Sequence, residues 1–192
     1  MNLAGSAPIP VYTVGHSTHP IEHFLGILGA HGVRRLVDVR TIPRSRRNPQ
    51  FNRENLPASL QTAGIDYHHL PGLGGLRHPR KDSINMGWRN ASFRGYADYM
   101  QTPEFDENLS RLIELASDVP TAIMCAEAVP WRCHRSLISD ALTARGIPVM
   151  EILGATKSQP HAITSFAQVE GHRVTYPAKP SSLDLPLFSQ LE

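Results

Sequence analysis

The sequence predicts a single three-layer α/β domain, with a mainly parallel sheet of about five strands and helices on both faces. Three observations carry this. Short apolar runs alternate along the chain with segments whose apolar residues recur three and four positions apart. The helical segments open on proline or hydroxyl residues and close on glycine. The first apolar runs end in polar residues suited to chemistry, the place where open α/β sheets build their sites.

The elements follow in order. Pro10–Val14 (PVYTV) is the first strand, and Gly15-His16-Ser17-Thr18-His19-Pro20 leads into a helix. Pro20 suits its first position behind a polar cap. Ile21, Phe24, Leu25 and Leu28 form its apolar face, and Gly32 ends it. This turn sets Gly15, His16, Ser17 and Thr18 at a helix N-terminus, a natural anion site. Arg35–Val39 (RLVDV) is the second strand, apolar except at Asp38, with Arg40 directly after it.

Residues 41–53 (TIPRSRRNPQFNR) hold four arginines and two prolines without periodicity, which marks a long functional loop. Arg44 and Arg46 suit bidentate phosphate recognition. Phe51 and Asn52 suit stacking and readout of a base. A short helix at Glu54–Ala63 and a strand at Ile65–Leu70 come next. Residues 71–92 form a second irregular stretch. In it Gly74 and Gly75 let backbone approach a ligand, and Arg77, Arg80, Lys81 and Arg89 extend the basic surface. A helix at Phe93–Met100 precedes a second helix start at Thr102-Pro103-Glu104. Thr121–Met124 is the fourth strand. Leu137, Ile138, Ala141 and Leu142 mark the helix after it, Gly146 its end, and Ile147–Ile152 the fifth strand. Beyond Leu153 the pattern weakens, with one short helix expected at His161–Glu170.

The expected organisation is a flexible N-terminus at 1–10, the α/β domain at 11–153, an extension at 154–180 and a flexible tail at 181–192. The 192 residues carry 41% hydrophobic content, enough for a real core. No apolar run is long enough to span a membrane, and the start lacks the features of a secretory signal. With two cysteines, a reduced cytoplasmic protein is expected. The net charge of +2 hides an asymmetry. Residues 40–94 hold ten basic groups against three acids, and the remainder holds nine against fourteen. Such segregation points to an anionic small molecule or a nucleic acid as partner.

Both cysteines lie in one loop, MCAEAVPWRCHR, between the fourth strand and the next helix. Three readings compete. Cys125 is a thiolate nucleophile, its pKa lowered by a helix N-terminus and by Arg132, Arg135 and His134. Alternatively Cys125, Cys133 and His134 bind a metal, with at most three local ligands. In the third reading the cysteines are structural, and Glu127, His134 and Arg135 bind an anion without covalent chemistry. Glu127 suits an acid or base, and Trp131 a lid over the pocket. The reading carried forward makes Cys125, Glu127, His134 and Asp38 catalytic. Gly15, His16, Ser17, Thr18, Arg40, Arg44, Arg46, Gly74, Gly75, Trp131, Cys133 and Arg135 bind substrate. No metal and no other cofactor is expected, and the oligomeric state stays open.

GHST, VDVR, LGG, FRGYADYM, TPEF and MCAEAVPWRCHR together resemble the uncharacterised family catalogued as domain of unknown function 488, over roughly residues 11–153. That resemblance implies an α/β sandwich and carries no established reaction. A looser similarity is to rhodanese domains, through Val37–Arg40 and the Arg135-Ser136 helix start. It implies a sulfurtransferase with a persulfide on Cys125. Against it, nine residues separate Cys125 from Arg135, and Glu127 among them would oppose a persulfide's negative charge.

The tail segment Ser182–Phe188 resembles peptides that dock bacterial polymerases and repair proteins on the sliding clamp, with Leu185, Leu187 and Phe188 as anchors and Ser182 where glutamine is usual. The leading functional expectation is an enzyme acting on a nucleotide or nucleic acid in DNA repair, with hydrolase or glycosylase-like activity. A rhodanese-like sulfurtransferase and a non-catalytic anion-binding module are the alternatives.

Overall fold

Strand β1 (Val11–Gly15) lies at the heart of a six-stranded sheet in a computed structural model that describes residues 9–179. The sheet order is β3-β2-β4-β1-β5-β6, with β2 at Arg35–Asp38, β3 at Asp66–His69, β4 at Thr121–Cys125, β5 at Val149–Gly154 and β6 at Lys157–Pro160. The first five strands pair in parallel, and β6 joins the β5 edge antiparallel. Strand β4 is buried at every position, as expected of a central strand covered on both faces.

Alternation along the strands builds two cores. Val14, Leu36, Ala122 and Met124 face α1 (Ile21–Ala30) and α2 (Leu56–Thr62), joined there by Phe51. Val11, Val37, Ile123 and Cys125 face the opposite way, toward α3 (Ala91–Tyr99), α4 (Pro103–Leu115) and α5 (Arg135–Thr143). The predicted α/β sandwich is therefore the fold. Thr102 caps α4 by accepting a hydrogen bond from the Phe105 amide, with Pro103 in the first turn. Gly32, Gly64 and Gly146 follow α1, α2 and α5 in left-handed conformations.

The structure departs from expectation in four places. Pro20 is itself the N-cap of α1, and no side chain caps that helix. The reason lies upstream: the amides of His16 and Ser17 donate to the carbonyls of Cys125 and Ala126, so the turn continues along β4 before the helix can start. Helix α3 begins two residues early, because the Asn90 side chain accepts from the amides of Ser92 and Phe93. The sheet gains the sixth strand β6. The helix expected at His161–Glu170 is absent, and a hairpin of β7 (Gln168–Glu170) and β8 (Arg173–Thr175) ends that stretch.

Tertiary ties explain this last difference. His161 bonds both Glu151 and Asp140, the Thr164 amide bonds Asp140, and Val174 and Tyr176 are buried in the core of α3–α5. Residues 154–179 thus pack onto the sandwich. Among the described residues, no helix is long and apolar enough to cross a membrane.

Candidate functional site

The carboxyl ends of β1, β4 and β2 stand side by side, with Gly15 opposite Cys125 and Asp38 opposite Met124. Where these strands end, the chain diverges and leaves a pocket of about 390 Å³. Cys125, Glu127, Cys133, His134 and Arg40 line it, together with Arg132, Gly75 and the exposed Ile42 and Leu76. A second pocket of about 360 Å³ adjoins it and shares Arg40, Ile42, Ala126 and Glu127. Its walls include the His16–Thr18 turn, Arg44, Ser45 and Asn48.

The chemical centre of the first pocket is a tight cluster. The sulfurs of Cys125 and Cys133 and a ring nitrogen of His134 all lie within 4.8 Å of one another. His134 Nε2 lies 3.2 Å from the Val39 carbonyl, and Nδ1 lies 3.6 Å from Cys133 Sγ. A carbonyl only accepts, so Nε2 donates to it and Nδ1 is the ring nitrogen that faces the sulfurs. Gly75 makes this ring position possible: a Cβ there would sit 2.5 Å from Nδ1.

The two thiols divide their proton unequally. The hydrogen bond from Cys125, the charge of Arg135 and the backbone amide at the start of α5 lower Cys133 to about 6. The same bond, together with burial, pushes Cys125 up to about 12. Their mutual hydrogen bond therefore favours ionisation at Cys133 over Cys125, the residue that the sequence singled out as nucleophile. Both cysteines are buried and unpaired by disulfide.

Arg135 has another place than the sequence suggested. It is 1% exposed, donates to Thr13 Oγ1, and donates from Nη2 to the Glu127 carbonyl at 2.6 Å. It is an internal strut beneath the loop, facing the cluster rather than open solvent. Gly15 is pressed by the same loop, since a Cβ there would lie 1.8 Å from the Glu127 carbonyl oxygen. The Glu127 side chain itself is exposed and lies between the two pockets.

Asp38 is wholly buried and fully bonded. It accepts from Arg40 Nε at 2.8 Å, from Arg40 Nη2 at 2.6 Å and from the Tyr67 hydroxyl at 2.9 Å. Burial and then the Asp38 charge raise the Tyr67 pKa. Arg40 reaches onward to His16 Nε2 at 3.1 Å, and His16 donates from Nδ1 to the Ser17 carbonyl. Burial and the Arg40 charge lower His16 to about 4, so its ring is neutral. Asp38 therefore orients Arg40 and has no free oxygen with which to act as a base.

Several further readings are corrected by placement. Phe51 is buried and stacks on His16 at 4.1 Å, so it is not open to a base. The amides of His16 and Ser17, expected to cradle an anion, already bond Cys125 and Ala126, which leaves the Ser17 and Thr18 side chains for the second pocket. Gly74 is buried against Thr41 and does not line the first pocket, whereas Gly75 does. Arg46 is exposed on the loop beside Arg44. Trp131 is 62% exposed and stands away from the first pocket, beside the one lined by His19 and His23. Leu185, Leu187 and Phe188 lie outside the described residues. Ile42, Leu76, Ser92 and Phe93 line the first pocket without having been singled out, and their only sequence signal was the irregular stretches from which most of them project.

The family model described as "Domain of unknown function DUF488" matches residues 20–142, more than half of the chain, including Asp38, Arg40, Cys125, Glu127, Cys133 and His134. Searches of curated proteins and of solved structures gave no match. The chain therefore belongs to the DUF488 family.

Proposed function

We propose that this protein is an enzyme that hydrolyses a bond in a nucleotide or nucleic-acid substrate, with DNA repair as its setting. One observation carries the reading: two adjoining pockets share Glu127, one holding the sulfur and imidazole cluster and the other edged by Arg44, Ser45 and Asn48. That division suits a substrate with a reacting group and a phosphate. Arg44, Arg46, Arg47, Arg53 and Arg132 make no ion pair among the described residues, which favours an external anion as their partner. Exposed Ile42 and Leu76 offer apolar contact for a base at the mouth.

Binding of a labelled single-stranded oligonucleotide, measured against salt, tests this reading. Affinity should fall steeply as salt rises, and the Glu127→Gln variant should bind normally yet lose turnover. Salt-independent binding, or turnover unaffected by Glu127→Gln, would reject it.

Sulfur transfer is the second reading, favoured by the Cys133 thiol just ahead of α5, whose pKa is lowered by its bond to Cys125 and by Arg135. It requires a persulfide on Cys125 or Cys133 after thiosulfate treatment, detected by mass spectrometry. The tail is proposed to dock on a sliding clamp through Leu185, Leu187 and Phe188. Leu187→Ala with Phe188→Ala should abolish retention on immobilised clamp.

A further inference from the structure

We propose that Cys125, Cys133 and His134 hold one divalent ion of the zinc class, with a coordination position left open to the pocket. This departs from the metal-free expectation drawn from sequence. It builds on the hydrolytic reading of the pocket, but it can be measured without any substrate.

The donor set argues first. Two sulfurs and one imidazole nitrogen within 4.8 Å of one another form the only such group of three potential ligands among the described residues. Soft sulfur with imidazole selects zinc over magnesium or calcium. Zinc bonds sulfur at about 2.3 Å and nitrogen at about 2.0–2.1 Å, so a tetrahedral ion sets its sulfur and nitrogen ligands about 3.6 Å apart. Cys133 Sγ and His134 Nδ1 are separated by 3.6 Å.

The surroundings argue second. A ligating histidine needs its remote nitrogen anchored, commonly on a carbonyl, and His134 Nε2 meets the Val39 carbonyl at 3.2 Å. That anchor comes from the end of β2, whereas the cysteines come from β4 and the start of α5, so three elements converge on one point. Neither cysteine is in a disulfide.

The count argues third. Structural zinc sites close with four protein ligands, whereas catalytic ones use three and keep a place for water. Here Glu127 follows Cys125 by two residues and lines the same pocket, yet it is not part of the cluster. Three cysteine or histidine ligands with a separate glutamate is the arrangement by which zinc deaminases activate water at a nucleobase. In the present pocket, a water at the open position gives its proton to the Glu127 carboxylate. Its oxygen forms a bond to the electrophilic atom of the substrate. The bond from that atom to the leaving group breaks, and the leaving group departs with the electron pair and takes the proton from Glu127. One water is consumed and nothing is oxidised or reduced.

The test uses the full chain, stripped by chelation and titrated with Zn²⁺ and with Co²⁺. One ion per chain is expected. The cobalt form should show sulfur-to-metal charge-transfer absorption and the intense visible bands of a tetrahedral site. Cys125→Ser and Cys133→Ser should each reduce the charge-transfer band. Gly75→Ala should weaken zinc binding without altering a ligand, because its Cβ displaces the His134 ring. Glu127→Gln should retain stoichiometry and spectrum. A cobalt spectrum of the unsubstituted chain without a sulfur band would overturn the proposal, whether or not any variant folds. So would zinc affinity equal to that of the Cys125→Ser/Cys133→Ser double variant. Oligonucleotide binding by the stripped chain is scored separately, so loss of the substrate reading and loss of the metal reading are distinguishable.

Discussion

Two polar networks sit side by side at the carboxyl ends of β1, β2 and β4, and they differ in what they leave unbonded. In the network of Asp38, Arg40, Tyr67 and His16, each polar group already has a protein partner, and all four rings or side chains are fixed by those partners. In the cluster of Cys125, Cys133 and His134, two thiol sulfurs and His134 Nδ1 face one another and a pocket. The first arrangement holds shape, and the second retains the capacity to bind or react. Carboxylates and arginines at strand ends look equally functional in a sequence; only their bonding separates the roles.

The largest test of this contrast is Asp38→Ala. It strands a buried Arg40 charge and should destabilise the fold by about 3–5 kcal/mol, read by denaturant unfolding. A loss below about 1 kcal/mol would mean that the network is not the rigid member of the pair. Glu127→Gln comes next. Turnover should drop by about 10²–10⁴-fold while the unfolding midpoint stays put. A large stability loss instead would make Glu127 structural and blur the distinction.

Acidity sharpens the contrast further. His16 is depressed to about 4, against an unfolded value near 6.5. Its folded state refuses a proton that the unfolded chain takes up, so stability is full above about pH 6.5 and declines as pH falls toward 4. His161, held between Asp140 and Glu151, has a raised pKa despite its burial. Its contribution is full below about pH 6.5 and is lost as pH rises through its folded value. His16→Gln should flatten the acid limb of the melting-temperature profile and His161→Gln the alkaline limb. Exchange of those two effects would refute the assignment. The smallest expected effect is that of Arg44→Ala, which should lower the salt slope of oligonucleotide binding by about 1 and leave stability unchanged.

The layers of this fold are readable because buried parallel strands write continuous apolar runs, as at Ala122–Met124, and because α4 announces itself with Thr102-Pro103-Glu104. The extension is not readable in that way. Its strands are only three or four residues long, and its course is set by His161, Val174 and Tyr176 meeting partners far away in sequence. At the site, the joint presence of Cys125, Glu127, Cys133 and His134 in one short loop was legible from spacing alone. How the two thiols shift one another was not, since that depends on their mutual hydrogen bond and on the charge of Arg135. Nor does an arginine's charge reveal its direction: Arg135 turns inward, whereas Arg44 faces solvent.

That inward turn of Arg135 has a design consequence. One guanidinium reaches from the first residue of α5, two positions after Cys133, past Thr13 of β1 to the backbone of Glu127. The cysteine loop and α5 are therefore braced together through β1, while Gly75 from the irregular segment 71–92 leaves room for the His134 ring beside them. Arg44, by contrast, is exposed on its loop and makes no ion pair among the described residues. Substitutions confined to exposed positions such as Arg44 should therefore alter what the second pocket holds while the braced cysteine loop keeps its shape.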